Sequence, residues 1–314
     1  MTSDYSNLGR GSRGNIVREL QNALTFAGYY VAADGSLGPV TWDALDRYAQ
    51  DNDVRWDKNT HTTIGAELAR ALTNEVLVSE GVAASPSRQF YIPDGYPDIK
   101  LYDLRMEQES PIPRSKKVRG RTVMRRPAEI TGLTFHQMAC TFDVAPYQLK
   151  ASGGDRELAR ARRMMNVPAH VCVMMTGGVV VHSPLEAYLN HGHGFNSDTY
   201  GIEVEGLYAG VKGVRTTMWK PDDVMELGEK TKRGIQFAID FLVLNTPEPT
   251  KLKYMYAHRQ SYDDKRADPG SEIWGVAEKH CAQHSILPRY DHTRRDGLPI
   301  PKEWSKGATA NYRG

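Results

Sequence analysis

The sequence has few cysteines, no long apolar run and no excess of charge of either sign. Its three cysteines, Cys140, Cys172 and Cys281, are widely spaced and form no CxxC pair, which argues against a disulfide scaffold and an all-cysteine zinc site. No stretch approaches the roughly 18 consecutive apolar residues of a transmembrane helix, and the N-terminus lacks the apolar core of a secretory leader. We therefore expect a protein that is made in the cytoplasm and does not insert into a membrane.

The near balance of charge also restricts the partners. Forty Lys and Arg residues face 38 Asp and Glu residues, for a formal charge of +2, whereas proteins that grip a nucleic-acid backbone usually carry a clear basic excess. We expect no nucleic-acid partner. A local basic run from Arg114 to Arg126 leaves two interpretations open, a solvated loop or an electrostatic contact with an anionic polymer such as cell-wall material.

The chain of 314 residues, 40% of them hydrophobic, has the length of one large globular domain or of two of ordinary size. Apolar residues at helical spacing predict a helix over 15–26 that Gly28 ends, a second helix from Thr41, and a third over 62–77. Together these helices predict a small three-helix bundle, domain 1–78. The small, polar and proline-containing residues of 79–89 predict a linker.

The predicted bundle carries an ordered set of glycines and turn residues. The set comprises Arg10-Gly11-Ser12-Arg13-Gly14, then Leu20-Gln21, then Asp34-Gly35-Ser36-Leu37-Gly38-Pro39 and Thr41-Trp42. In this order the residues of 7–75 resemble the peptidoglycan-binding repeat found in many cell-wall hydrolases. The resemblance implies a module, with Asp34, Gly35 and Trp42 among its motif residues, that docks onto wall glycan and stem peptide and has no chemistry of its own.

Strand-like and helix-like segments alternate in the second half of the chain. Short β-rich runs cover 130–138, 171–175, 179–181 and 201–205, and helical patterns cover 155–166, 224–245 and 272–285. Interleaved strands and helices predict an α/β fold, with a mixed central sheet covered by helices, over domain 90–290. The Gly, Lys and Arg content of 291–314 predicts a loose C-terminal extension.

Histidines lie near the ends of the predicted strands. His136 is near the end of the first strand, His258 ends a later apolar run, and Asp268 follows ten residues after it. Imidazole and carboxylate both suit Zn²⁺, and three protein ligands leave a fourth position for water. By spacing alone this set is one of many, and Cys140 is a rival ligand.

The order of motifs around these residues carries a second resemblance. The segments GIEVEG at 201–206 and HRQSYDDKRADPG at 258–270 are its most distinctive parts, and His136, Pro168-Ala169-His170 and His191-Gly192 complete it. In this order, residues 129–287 resemble the zinc-dependent N-acetylmuramoyl-L-alanine amidases, a family that includes T7-lysozyme-like phage enzymes and relatives of the peptidoglycan recognition proteins. The fold that this family implies agrees with the predicted mixed sheet.

The resemblance implies a zinc site made by His136, His258 and Asp268, and hydrolysis of the amide between N-acetylmuramic acid and L-alanine. Zinc would activate a water for attack and polarise the carbonyl. Glu203 matches the family's acidic residue and would act as general base. Glu205 competes with it, because strand alternation sends both side chains to one face.

Other site residues follow from the same resemblance. Arg266 occupies the position where the family commonly has a lysine that stabilises the oxyanion, with Lys265 beside it. His191 and Asn196 would hold the muropeptide together with Glu205. His170 is expected to be structural or to orient a ligand imidazole, and no role is expected for five other histidines, namely His61, His182, His280, His284 and His292.

A wall-binding module joined to a zinc amidase indicates a peptidoglycan hydrolase. Because no leader is recognised in the sequence, we expect a phage or prophage endolysin that reaches the wall after release from the cytoplasm. A secretion-system effector, a virion-borne enzyme and a cytosolic muropeptide amidase are alternatives. A recognition protein that binds peptidoglycan without cutting it is the alternative from another class. We expect a monomer, although the sequence does not determine the oligomeric state.

Overall fold

The computed structural model describes residues 5–26, 29, 31–51, 54–69, 72, 90–109, 111–118, 121–218, 220–246 and 251–312. The chain forms two compact units, Met1–Arg88 and Gln89–Gly314. The predicted linker 79–89, the helix end at Gly28 and most of the last turns of the third predicted helix lie outside the described residues.

In the first unit, two helices and a shorter helical segment share one core. Helix α1 spans Asn15–Phe26, α2 spans Pro39–Asp51, and residues 65–69 and 72 are helical. The first two helices are therefore confirmed. Their apolar faces are buried together with the aromatic residues of the loops, and the core includes Val17, Leu20, Leu24, Leu37, Trp42, Leu45, Tyr48, Trp56, Ile64, Leu68 and Leu72.

The loop between α1 and α2 is fixed by a buried glutamine. The Gln21 side chain donates to Asp34 Oδ1 at 2.8 Å and accepts from the backbone N–H of Gly35 at 2.8 Å. Gly35 has φ +73°, a backbone conformation that favours glycine. Trp42 is fully buried and donates its indole N–H to the carbonyl of Lys58 at 3.2 Å. Trp42 is thus a core residue, and its ring is not free to stack on a sugar.

The second unit is built on a mixed sheet. Seven strands of the described residues pair in the order β1 (Leu101–Asp103), β6 (Val179–Val181), β5 (Val171–Val173), β7 (Thr199–Val204), β4 (Gly132–Gln137), β8 (Tyr254–Ala257) and β9 (Leu287–Pro288). Strands β5, β7, β4, β8 and β9 are mutually parallel, and β6 is antiparallel to β5. Strands β2 (Lys117–Val118) and β3 (Arg121–Thr122) form a separate antiparallel pair.

Helices cover both faces of this sheet, because its strands are apolar on both sides. Helices α5 (Glu229–Asn245) and α6 (Ser271–Cys281) pack into the larger core with Val171 and Val173. Cys172, which points the other way, packs in a second core with residues of α4 (Arg156–Arg163) and the turn after it. Helix α3 (Pro146–Ala151) precedes α4. The predicted α/β class is confirmed. No helix within the described ranges is long and apolar enough to cross a bilayer.

Some predicted boundaries were wrong. The helix expected from Val224 begins at Glu229, because Pro221 starts a short 3-10 turn and Gly228, with an extended backbone, precedes the first helical residue. Strands β1, β2 and β3 all lie within residues 90–129, before the first strand that the sequence predicted.

The C-terminal segment 291–312 is packed, and the prediction of a loose extension was wrong. Ile300, Trp304 and Ala308 belong to the main core of the second unit. The guanidinium of Arg259 lies 5.1 Å from the ring of Trp304 and 5.2 Å from that of Tyr312. Sparse but large apolar residues therefore anchor a segment whose average composition is polar.

The basic run 114–126 is divided between surface and interior. Its outer residues Arg114, Lys116 and Lys117 are exposed, whereas Arg125 is buried. The segment pairs with residues 186–190 through backbone bonds such as Lys116 N–H to the Tyr188 carbonyl at 2.8 Å and Arg125 N–H to the Glu186 carbonyl at 2.7 Å. The described residues of the run, 114–118 and 121–126, are thus paired with the rest of the unit and do not form a solvated loop throughout.

Candidate metal centre

The carboxyl ends of three adjacent parallel strands meet at one edge of the sheet. His136 of β4 is in register with Glu203 of β7, and Phe135 is in register with Ala257 at the end of β8. His258 follows Ala257 directly and therefore reaches the same edge as His136. Ligand sites in open α/β sheets commonly form at this edge, because loops of different strands converge there.

His136, His258 and Asp268 come together at this edge. One ligand atom from each lies within 4.8 Å of the others, and all three residues are buried. His258 Nδ1 is 2.8 Å from Asp268 Oδ2, and the rings of His136 and His258 have centroids 4.4 Å apart. Two imidazoles and one carboxylate form a donor set that suits Zn²⁺ with one position left for a water.

The side chain of His136 fits a metal ligand in a second respect. Its Nδ1 atom is buried and has no hydrogen-bond partner among the described residues. A buried polar atom without a partner costs about 1–3 kcal/mol. Coordination of a metal by Nδ1 would remove this cost, so the residues present fit the ion that the sequence implies.

His191 determines which nitrogen of His136 carries the proton. His191 Nε2 lies 3.3 Å from the carbonyl oxygen of Thr199, which can only accept, so this nitrogen is the protonated one. His191 Nδ1 is then an acceptor for His136 Nε2, 3.2 Å away. This chain of donors leaves a lone pair on His136 Nδ1, the atom offered to the metal.

Burial keeps these imidazoles neutral. Burial, followed by the charges of neighbouring groups, holds the pKa of His136 and of His191 well below the usual range. A neutral imidazole is the form that binds a metal. His191 is 3% exposed, so the prediction that it contacts the substrate is not supported by its position. It instead orients His136.

The carboxylate of Asp268 is positioned by the strand beside it. Its Oδ1 accepts from the backbone N–H of Gln137 at 2.9 Å. The Gln137 side chain donates to the carbonyls of Ala267 at 2.6 Å and Tyr208 at 3.0 Å. The end of β4 therefore holds the loop that carries Asp268.

Cys140, the rival ligand, is exposed and lies outside the three-residue cluster. Its carbonyl accepts from the backbone N–H of Gly206.

The two glutamates of the GIEVEG segment have different surroundings. Glu203 has one carboxylate oxygen, Oε2, that is buried and unpaired within the described part of the chain. Burial, and then the charge of Asp268, raises the pKa of Glu203 well above its usual value. The charges of Lys265 and Arg114 act in the opposite direction and lower this pKa in part. Glu203 is available for proton transfer beside His136.

Glu205 is not available in this way. It is fully buried, and its carboxylate accepts from the backbone N–H of Phe142 at 2.7 Å and of Met175 at 3.0 Å. Strand β7 ends at Val204, so the alternation that predicted a shared face with Glu203 stops before Glu205. Both carboxylate oxygens are thus occupied by backbone N–H groups, and Glu205 ties together the loops after β4 and β5.

Asn196 lies in the loop 191–196 and faces inward. Its side chain accepts from the backbone N–H of Gly192 at 2.6 Å and is nearly buried, which argues against its predicted substrate contact.

His193 of the same loop was not predicted as a site residue. It is exposed and stacks on Tyr262 with ring centroids 4.9 Å apart, and its Nδ1 lies 3.3 Å from His258 Nε2. The repeated histidine of the HGH sequence was the available signal.

Arg266 lies two residues before Asp268 in the chain. Its side chain is exposed and donates from Nε to the carbonyl of Asp263 at 3.1 Å, while Lys265 is half-buried.

Behind the site, Arg125 is buried, and its guanidinium donates to the carbonyls of Thr199 and Leu185 at 2.5 and 2.9 Å. Burial lowers the pKa of Arg125 to about 10. His170 accepts from the backbone N–H of Gly201 and contacts the edge of His191.

The chain matches no protein-family model and no curated protein. Among solved structures, it is similar to the N-acetylmuramoyl-L-alanine amidase LysC from Clostridium intestinale URNW, with 12% identity, a TM-score of 0.37, and coverage of 60% of this chain and 98% of that one. Drosophila PGRP-LB gives 14% identity, a TM-score of 0.37, and coverage of 60% and 96%. For bumblebee PGRP-SA the identity is 12%, the TM-score is 0.36, and the coverage is 60% of this chain and 96% of that one. Likeness at these values carries no information about activity.

Proposed function

We propose that this protein is a zinc-dependent amidase that cleaves the bond between N-acetylmuramic acid and L-alanine in peptidoglycan. The observation that carries the proposal is the convergence of His136, His258 and Asp268, with a free lone pair on His136 Nδ1 and Glu203 on the neighbouring strand. When bound there, zinc supplies the activation of a water and the polarisation of the amide carbonyl.

Each polar group of the site has a task in this reaction. Glu203 takes the proton of the attacking water and delivers it to the leaving amine of L-alanine. Its partial desolvation suits this role, because a raised pKa brings a carboxyl closer to the working pH. His191 keeps His136 in the tautomer that binds the ion. Arg266 and Lys265, in the loop leading to Asp268, provide positive charge for the developing oxyanion.

The substrate follows from the sequence resemblance of residues 129–287 to the muramoyl amidases and of residues 7–75 to the wall-binding repeat. In this proposal the first unit holds the enzyme on the wall, and the second cuts stem peptides from the glycan strands. An enzyme of this kind that is released from the cytoplasm to lyse a cell, as a phage or prophage endolysin is, accounts for both units.

Digestion of purified sacculi tests the proposal. The intact protein is compared with His258→Ala and Glu203→Gln, with mass analysis of released fragments and metal content measured in parallel. We expect free stem peptides that begin at L-alanine and zinc near one equivalent in this site. His258→Ala should lose the metal of this site and the activity, whereas Glu203→Gln should keep that metal and lose about 10²- to 10⁴-fold in rate.

Two results would contradict the proposal. Zinc-loaded protein that sediments with sacculi but releases nothing would identify a recognition protein. Release of fragments cut within the glycan or within the stem peptide would identify a hydrolase of a different bond. Glu203→Gln at wild-type rate would leave the hydrolysis in place and remove the base assignment.

A further inference from the structure

A second cluster of metal-ligating side chains lies on the helices that cover the sheet. It is made by Asp240 of α5, His280 of α6 and His284 of the turn that follows α6. Helix α6 begins shortly after Asp268, and His280 lies nine residues further along, roughly 14 Å at 1.5 Å per residue. The cluster is therefore separate from the site at the sheet edge.

The three ligand atoms already converge. Asp240 Oδ1 lies 2.7 Å from His280 Nε2 and 2.6 Å from His284 Nε2. The two histidines are four residues apart, which places them on one face of the helix and its continuation. The other carboxylate oxygen, Asp240 Oδ2, accepts from the hydroxyl of Tyr96 at 2.5 Å, so the carboxylate is held in orientation from behind.

We propose that Asp240, His280 and His284 form a second transition-metal site, with Zn²⁺ as the natural occupant and a structural role in joining α5 to α6. Two imidazoles and a carboxylate are borderline ligands that suit zinc. Ligand atoms around a tetrahedral zinc lie roughly 3.3 Å apart, given bonds of about 2.0–2.2 Å. The present contacts need to lengthen by only about 0.6 Å to admit the ion.

Access and charge agree with this assignment. The side chain of His280 is 9% exposed, that of Asp240 20% and that of His284 28%. The ligands are thus shielded, and His284 is the one of the three that is most open to solvent. Burial acts to raise the pKa of Asp240, but hydrogen bonds from His280, Tyr96 and His284 lower it overall, so the carboxylate is anionic near neutral pH. The anionic ligand is present before the metal arrives.

Metal counting distinguishes this site from the one at the sheet edge. Protein stripped with a chelator is dialysed against Zn²⁺, and bound metal is measured by elemental analysis. We expect two equivalents for the wild type, one for His136→Ala, one for His284→Gln and none for the double variant. His61→Gln, which removes a histidine of the first unit, is the matched control and should keep two.

A second readout follows the structural role. Zinc should raise the unfolding temperature of His136→Ala, because binding to the native state alone stabilises it, and should not raise that of His136→Ala/His284→Gln. Circular dichroism and unfolding in chelator show whether His284→Gln is folded. Equal metal content in the wild type and in folded His284→Gln would overturn the proposal and leave a metal-free hydrogen-bonded cluster. A single equivalent that His284→Gln removes and His136→Ala retains would support it while removing the metal from the proposed amidase.

Discussion

At the scale of single residues, the site depends on a close approach that glycine permits. A Cβ atom on Gly201 would lie 2.6 Å from Cγ and 2.7 Å from Nδ1 of His191. Gly201→Ala should therefore displace His191 from His136 and weaken zinc binding by about 10- to 100-fold, the usual cost of losing such a supporting contact. Competition with a chromophoric chelator measures this affinity.

Gly275 offers the matched control for this substitution. It lies within α6, and a Cβ there meets nothing within 4 Å. Gly275→Ala should leave metal affinity unchanged and raise the free energy of unfolding by up to about 1 kcal/mol, since alanine is the better helix former. Unchanged affinity in Gly201→Ala would show that His191 does not orient the ligand.

At the scale of elements, the C-terminal segment acts as a brace for the loop that carries Asp268. Trp304 is 5% exposed and contacts the guanidinium of Arg259, whose backbone N–H donates to the Asp268 carbonyl at 3.0 Å. Trp304→Ala should lower the free energy of unfolding by about 3–5 kcal/mol, because it empties a core position. Lys306→Ala, an exposed neighbour, should change it by less than about 0.5 kcal/mol. Urea unfolding of both variants compares them, and equal stability would mean that the segment does not brace the unit.

At the scale of the whole molecule, buried neutral histidines make stability depend on pH. Burial is the first cause that lowers the pKa of His182, to about 4, and those of His136, His170 and His191 well below the usual range. The unfolded chain, with ordinary histidines near pH 6.5, then binds more protons than the native state. Stability is therefore present above about pH 6.5 and is lost as the pH falls below it.

In metal-free protein, each such histidine lowers the free energy of unfolding by about 1.4 kcal/mol for each pH unit below pH 6.5. Glu203, whose pKa is raised mainly by burial, has the opposite effect on the free energy of unfolding, but it is one group against four histidines. The free energy of unfolding in chelator, measured by urea at pH 7, 6 and 5, should fall at each step. His182→Gln should remove about one histidine's share of the slope. A free energy that stays constant from pH 7 to 5 would contradict the neutral state of these histidines.

Several local elements and a candidate set of metal ligands could be predicted from the sequence alone. Strand β6 has the predicted bounds, and the three residues predicted as ligands, His136, His258 and Asp268, lie together at the sheet edge, because apolar periodicity and motif order are local signals. The predicted helix start at Val224 was wrong, since Pro221 and Gly228 compete with the apolar pattern.

The tertiary structure decided how equivalent residue types were used. Because β7 ends at Val204, Glu203 and Glu205 have different surroundings. The bond to His136 makes His191 a supporting residue, whereas His193 is exposed beside His258. The packing of Trp304 and the meeting of Asp240 with His280 join residues distant in the chain. Such contacts depend on which elements become neighbours in space, and periodicity along the chain carries no information about that.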